Sequence, residues 1–275
     1  MSKPAEAPAT DRFDTSSHQE FVEYYEKASL SETTRQRFEG IRRNAIRLAT
    51  GSDQSARPLD MLDIGCGPGM QCVLWAAAGH RVTGIDINAP LIEVGRKRAA
   101  EAGLVIRFEV GSATALPCAS ASMDVCLMPE LLEHIADWEP CIDEAVRVLR
   151  PGGVLFLSTS NWLCPVQQEF NLPLYSWYPG FLKRRYEKLA VTTRPELANY
   201  ARYPAVHWFS YYQLERYLAR HGMRCFDRFG MLESAGRSAV ERSIIALLRG
   251  SSLLRFLGQI CTSGTTVYAI KQKSA

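Results

Sequence analysis

The sequence predicts an α/β protein on a Rossmann-like, doubly wound sheet. Residues 59–88, LDMLDIGCGPGMQCVLWAAAGHRVTGIDIN, read as a strand, a glycine-rich turn, an apolar helix and a second strand, the opening of a βαβ unit. Apolar strand-like runs then alternate with helix-length segments up to residue 161, the pattern of a parallel sheet. A chain of 275 residues with 47% hydrophobic and 22% charged residues can bury one substantial core with embellishments.

Residues 1–16 are rich in Pro, Ala, Ser and Thr and are expected to be disordered. Residues 17–28, with Phe21, Tyr24, Tyr25 and Ala28 at helical spacing, predict a first helix, and residues 31–50 a second. After the glycine unit, Asn88 caps a helix over 89–103 that stops at Gly103. Residues 105–110 form a third strand and 123–128 a fourth. The following PELLEHIADWEP predicts a short helix, a break near Pro140 and a second helix. Pro151, Gly152 and Gly153 then turn the chain into a fifth strand, VLFLSTSN. An insertion over 162–209 holds 11 of the chain's 27 aromatic residues. Ser210 caps a further helix, a strand lies over 224–230, and TTVYAIKQK closes the sheet. Between the last two, SIIALLRGSSLLRFLGQI reads either as apolar helix covering the sheet or as a surface contact.

The glycine corner carries the functional signal. Glycines at a strand-to-helix turn let the backbone approach a ligand, and the helix start points free N–H groups at it. Gly65, Gly67 and Gly69 follow Asp63 with the spacing GxGxG. The third glycine of a dinucleotide fingerprint is replaced by Met70, which disfavours NAD. Asp86, ending the second strand, can accept both hydrogen bonds of a ribose diol.

DIGCGPG followed by GIDIN, with LRPGGVLFLSTSN later, resembles the class I S-adenosylmethionine (SAM) dependent methyltransferases over residues 59–161. The resemblance implies a seven-stranded sheet with its last strand antiparallel, and N-terminal helices over 17–50 as a lid. It implies SAM as cofactor, with Asp63, Gly65, Cys66, Gly67 and Gly69 against its methionine part and Asp86, with Ile87 beside it, on the ribose. The family's adenine-binding Asp is Ser112 here, so the hydroxyl or the Ala113 backbone takes that role. Met128 is expected to border the cofactor where the sheet changes direction.

Glu130, Glu133 and His134 form ExxEH, which on a helix would share one face. Two carboxylates and an imidazole suit a divalent cation. The motif resembles the O-methyltransferases of ubiquinone biosynthesis, implying a metal such as Mg2+ at Glu130, Glu133 and His134. A metal-free role for the same residues is the alternative. His134 and His207 are the candidate catalytic bases. The acceptor expected is an apolar small molecule, phenolic or quinone-like, methylated on oxygen. The rivals are N- or C-methylation of another metabolite and a SAM-binding, membrane-docked accessory protein without turnover.

Net charge is +3 and no dense Lys/Arg stripe occurs, which argues against nucleic acid. Eight cysteines without a CxxC pair read as buried thiols of a reducing compartment. With no apolar run of membrane-spanning length and no leader-like start, a cytoplasmic enzyme is expected. Residues 173–185 and 244–260, where aromatic or leucine side chains neighbour Lys and Arg, offer a peripheral membrane contact. Oligomeric state is not readable.

Overall fold

The computed structural model describes residues 19–51, 57–135, 137–167, 170–198, 207–234 and 236–273. The expected disorder of 1–16 lies outside them, as do the side chains of Tyr24 and Tyr25.

Seven strands form one sheet: β1 (Asp60–Ile64), β2 (Arg81–Asp86), β3 (Arg107–Val110), β4 (Met123–Pro129), β5 (Leu149–Ser160), β6 (Met223–Asp227) and β7 (Gly264–Lys271). Their order is β3-β2-β1-β4-β5-β7-β6. β1 to β5 run parallel and β7 is antiparallel to both neighbours, as the sequence resemblance implied. The direction of winding reverses between β1 and β4, so ligands are expected beyond their carboxyl ends.

The helices are α1 (Gln19–Ala28), α2 (Glu32–Thr50), α3 (Met70–Ala77), α4 (Ala89–Glu101), α5 (Trp138–Val148), α6 (Gly180–Thr192), α7 (Tyr211–Arg220), α8 (Ala239–Gly250) and α9 (Ser252–Ile260). Several start where a side-chain acceptor satisfies a free N–H. Ser31, Asn88 and Ser210 accept from Thr34, Leu91 and Gln213 respectively. Ser238 and Glu241 close a capping box on α8.

The sheet divides the core in two. On one face Leu62, Ile64, Cys126, Met128, Leu155 and Leu157 pack with Ile142, Ala145 and Val148 of α5 and Leu214 and Leu218 of α7. On the other, Met61, Val125, Leu127, Val154 and Phe156 pack with Trp75 of α3, Ile92 of α4 and Ile41 and Ala45 of α2. Complete burial of a Leu or Phe side chain contributes about 2 kcal/mol.

Three local expectations change. The break between the short helical turn Leu132–His134 and α5 falls before Asp137, the residue that precedes α5, and Pro140 sits in the first turn of α5, where its missing N–H costs nothing. Pro151 to Gly153 lie inside β5 beside a register shift against β4 instead of forming a turn before it. The stretch SIIALLRGSSLLRFLGQI is two helices, α8 and α9.

The inserted cap has its own core. Phe170, Tyr175, Ala190 and Ala198 are buried together, with Trp208 and Tyr178 packed against them, and Phe170 stacks on Tyr175 at 4.0 Å.

Candidate active site

After β1 the chain turns at Gly65, Gly67 and Gly69, with φ of 73°, 51° and 75°. L-side chains are strained in that region. At Gly65 a β-carbon would also lie 2.7 Å from the Leu131 side chain. At Gly67 it would meet nothing within 4 Å, so the outer side of the turn is open.

Asp86, at the tip of β2, fastens this turn. The N–H of Gly67 donates to its Oδ2 and that of Asn88 to its Oδ1, both at 2.8 Å. Burial raises the Asp86 pKa above the ordinary carboxyl value, and the backbone donors oppose that shift. Each oxygen retains acceptor capacity, so the carboxylate can still receive hydroxyl donors.

Asp63 is buried, and Cys72 Sγ donates to its Oδ2 at 3.6 Å. Its Oδ1 accepts no hydrogen bond, and neither amide atom of buried Gln71 has a partner. Burial pushes the Asp63 pKa up to about 7, against the Cys72 hydrogen bond and with help from the Asp86 charge. Buried polar atoms without partners are costly. An orphan carboxylate oxygen at an open glycine corner fits a cationic ligand group.

Cys66 is buried within the turn, and with Cys72 it occupies the space that a Gly84 side chain would need. Ile87 follows Asp86 and is 42% exposed. The Ser112 hydroxyl accepts from Thr114 N–H at 3.2 Å, and Ala113 packs against the core below. Met128 departs from expectation: its side chain is fully buried among Ile64, Leu116 and Leu132. Strand alternation turns it into the core.

The ExxEH geometry also departs from expectation. Glu130 has φ of 52° and precedes the short helical turn Leu132–His134, so the three side chains do not share a helix face. Glu130 is exposed and paired with Arg37 of α2, Glu133 is 2% exposed, and His134 is half-buried. Burial lowers the His134 pKa and the Glu130 charge opposes this, so the imidazole is neutral near pH 7. Among the described residues no three of His, Cys, Asp and Glu are gathered to hold a metal ion. The residues present do not fit the expected Mg2+ site. His207 is half-buried, its backbone N–H donating to the Glu133 carbonyl at 3.2 Å.

A cavity of about 490 Å3 opens across the carboxyl ends of β4 and β5 and the start of β7. Glu130 and Glu133 line one side; Ser158, Thr159 and Ser160 of β5 and Thr265 and Thr266 of β7 line the middle; Arg228, just past β6, also lines it. Ile41, Phe156 and Tyr268 supply its larger hydrocarbon surfaces, and Gln167 comes from the cap. Leu131, between the two glutamates, rests on Gly65, so the cavity adjoins the glycine corner. Except for Glu130 and Glu133, sequence reading found none of these residues. The one signal was the polar run STSN ending an otherwise apolar strand. Of the cap's aromatics, Phe170, Tyr175, Tyr178, Tyr186 and Trp208 pack into the cap's own core, and among the described residues no cap aromatic lines the cavity.

Comparison with known proteins agrees with this geometry. A family model described as a methyltransferase domain matches residues 62–157. The ubiquinone biosynthesis O-methyltransferase of Brucella anthropi is 34% identical over 184 residues, 64% of this chain and 65% of that protein. The protein of the same name from a Chelativorans species is 36% identical over 188 residues, 65% of each. The chain thus spans just under two thirds of the length of these curated relatives. The solved geranyl diphosphate C-methyltransferase of Streptomyces coelicolor aligns with a TM-score of 0.55 at 17% identity, covering 95% of this chain and 86% of that one. The PH0226 protein of Pyrococcus horikoshii aligns with a TM-score of 0.55 at 16% identity, covering 91% and 99%. At such identities the structural likeness speaks for the fold. Residues 62–157 are therefore a methyltransferase domain, and the chain that carries it has the fold of the class I, SAM-dependent methyltransferases.

Proposed function

We propose that the protein methylates an oxygen of a small phenolic or quinone-like acceptor, using SAM. The observation that carries this is the corner of three left-handed glycines whose middle N–H is fastened to Asp86. In this reading the turn from Gly65 to Gly69, with Cys66 as its filler, lies along the methionine part. Asp63 receives the ammonium group, Asp86 with Ile87 holds the ribose, and Ser112 with Ala113 borders the adenine. SAM, when bound, supplies an electrophilic methyl on a good leaving group. The relatives named above support oxygen as the methylated atom.

The chain's own work is to position the acceptor and remove its proton. A phenol is mostly protonated near pH 7. Glu133, buried in the cavity wall beside the segment that touches Gly65, is placed to take that proton. The His207 N–H fixes the Glu133 backbone, while neutral His134 lies next in the same turn. The polar walls favour a phenol with polar substituents over a wholly apolar molecule.

Incubation with SAM and a panel of o-diphenols should yield S-adenosylhomocysteine (SAH). Glu133→Gln should lower kcat by about 100-fold without weakening SAM binding, and a chelator should change nothing. SAM binding without turnover on any acceptor would favour the accessory-protein reading. A product methylated on nitrogen or carbon would overturn the oxygen assignment.

A second reading, on location, rests on exposed apolar side chains. Val240, Ile244, Leu247, Leu253 and Leu257 on α8 and α9 are 48% to 70% exposed. Trp177 and Phe181 of the cap are 52% and 65% exposed, near exposed Arg184 and Arg185. These surfaces suit peripheral contact with an anionic membrane. Lys183, expected with them, instead turns inward, donating to Ser176 O and lying 5.2 Å from the Trp208 ring. Among the described residues no helix is long and apolar enough to span a membrane. Flotation with phosphatidylglycerol vesicles should carry the protein upward and leave Leu247→Glu/Leu253→Glu behind; absence of wild-type flotation would end this reading.

A further inference from the structure

The cavity has a polarity that methyl transfer does not itself require. Its β4 side carries Glu133 and the Arg37–Glu130 pair. Its far side carries Arg228, across β5 and β7, which is two to three strand spacings or roughly 10–14 Å away.

Arg228 is a half-buried cation whose neighbouring acid, Asp227, also holds other donors. Asp227 is 1% exposed and accepts from Arg255 at 3.0 Å, Gln259 at 3.3 Å and Gly230 N–H at 2.8 Å. Among the described residues Arg228 has no salt bridge. Its Nη2 donates to the Gly264 carbonyl and to Thr266 Oγ1 at 3.1 Å, while Nε is buried without a hydrogen bond. Thr159, 2% exposed in the same lining, has an Oγ1 that is also without a partner. A buried guanidinium N–H and a buried hydroxyl left without partners are costly, and an oxyanion is a group that can take both. Burial lowers the Arg228 pKa and the Asp227 charge opposes this, and an arginine remains protonated at neutral pH.

Building on the methyltransferase reading, we propose that Arg228 and Thr159 bind an oxyanion of the acceptor, a carboxylate or phosphate, over β5 and β7, away from the glycine corner. The acceptor is then an anionic phenol whose charged group lies across an aromatic ring and a short spacer from the methylated hydroxyl. Arg228 selects the substrate without touching the reacting atoms.

Calorimetric titration of 3-(4-hydroxyphenyl)propanoate, its amide and 2-(4-hydroxyphenyl)ethyl phosphate, each with and without SAH, tests this. The acid or the phosphate should bind about tenfold more tightly than the neutral amide, and the tighter of the two identifies the oxyanion. Arg228→Gln should reduce the preference to less than about twofold, Arg228→Lys should keep part of it, and SAH affinity should stay unchanged in both. Thr159→Val, nearly isosteric, should weaken the anion by about threefold and leave the amide unaffected. Equal binding of acid and amide, a preference that survives Arg228→Gln, or no binding by any probe would overturn the proposal. Failure of SAH to bind would instead sink the methyltransferase reading, since the anion preference is also measured without it.

Discussion

Asp60 and Asp63 lie three residues apart on β1, yet the two ends of the sheet treat them oppositely. At the amino end, Asp60 is paired with Arg81 and Arg150, and Asp124 of β4 accepts from both Arg57 nitrogens and from Arg150. The Arg81 hydrogen bond holds Asp60 below its ordinary pKa. Burial alone would raise Asp124, but its donors, Arg57 first, hold it at about 2. At the carboxyl end Asp63 has an orphan oxygen and rises to about 7, Glu130 sits in a left-handed conformation, and Arg228 and Thr159 have unpartnered atoms. One end satisfies its charges and secures the fold. The other leaves them for a ligand to satisfy, as pre-organised sites do.

The comparison breaks if damage at the amino end spreads to the site. Asp124→Ala removes the carboxylate that Arg57 and Arg150 share, leaving Arg150 on Asp60, and should cost about 2 kcal/mol in urea unfolding, with SAH affinity unchanged. The pH dependence has a definite sign. A folded-state value held down to about 2 stabilises above the unfolded value and loses that contribution as pH falls from 3.8 toward 2. Acid unfolding of Asp124→Asn should lack this increment. Gly65→Ala should cost about 2 kcal/mol through its φ of 73° and the contact with Leu131, and it should weaken SAH as well.

Asp63 sharpens the contrast because its sign is reversed. Its raised value means that ionisation in the folded protein is unfavourable below about pH 7. A cationic ligand that needs the ionised form should therefore bind about tenfold more tightly at pH 8 than at pH 6. Asp63→Asn should flatten that profile. The smallest effect belongs to Arg37. Its exposed pair with Glu130 should contribute only about 0.5 kcal/mol to stability, yet Arg37→Ala should alter acceptor KM, because both residues line the cavity.

The amino-acid sequence made the fold legible where physics is local. Glycine spacing, Asp86 ending a strand, and caps at Asn88 and Ser210 each act within a few residues of themselves, and all were found in place. The cavity was not legible, because Arg37, Thr159, Arg228 and Thr265 meet only through the antiparallel insertion of β7 between β5 and β6. The ExxEH reading assumed a helix beginning at Glu130, and no local signal announced its left-handed backbone. Met128 was placed at the crevice by its position along the strand, whereas alternation of faces sends it into the core.

Titration of SAH into wild type, Asp86→Ala and Asp124→Ala side by side tests the central claim most directly. The account predicts micromolar binding by wild type and by Asp124→Ala at a temperature where it remains folded, with a loss of about 2 kcal/mol for Asp86→Ala. No binding by folded wild type, or equal affinity for wild type and Asp86→Ala, would contradict it.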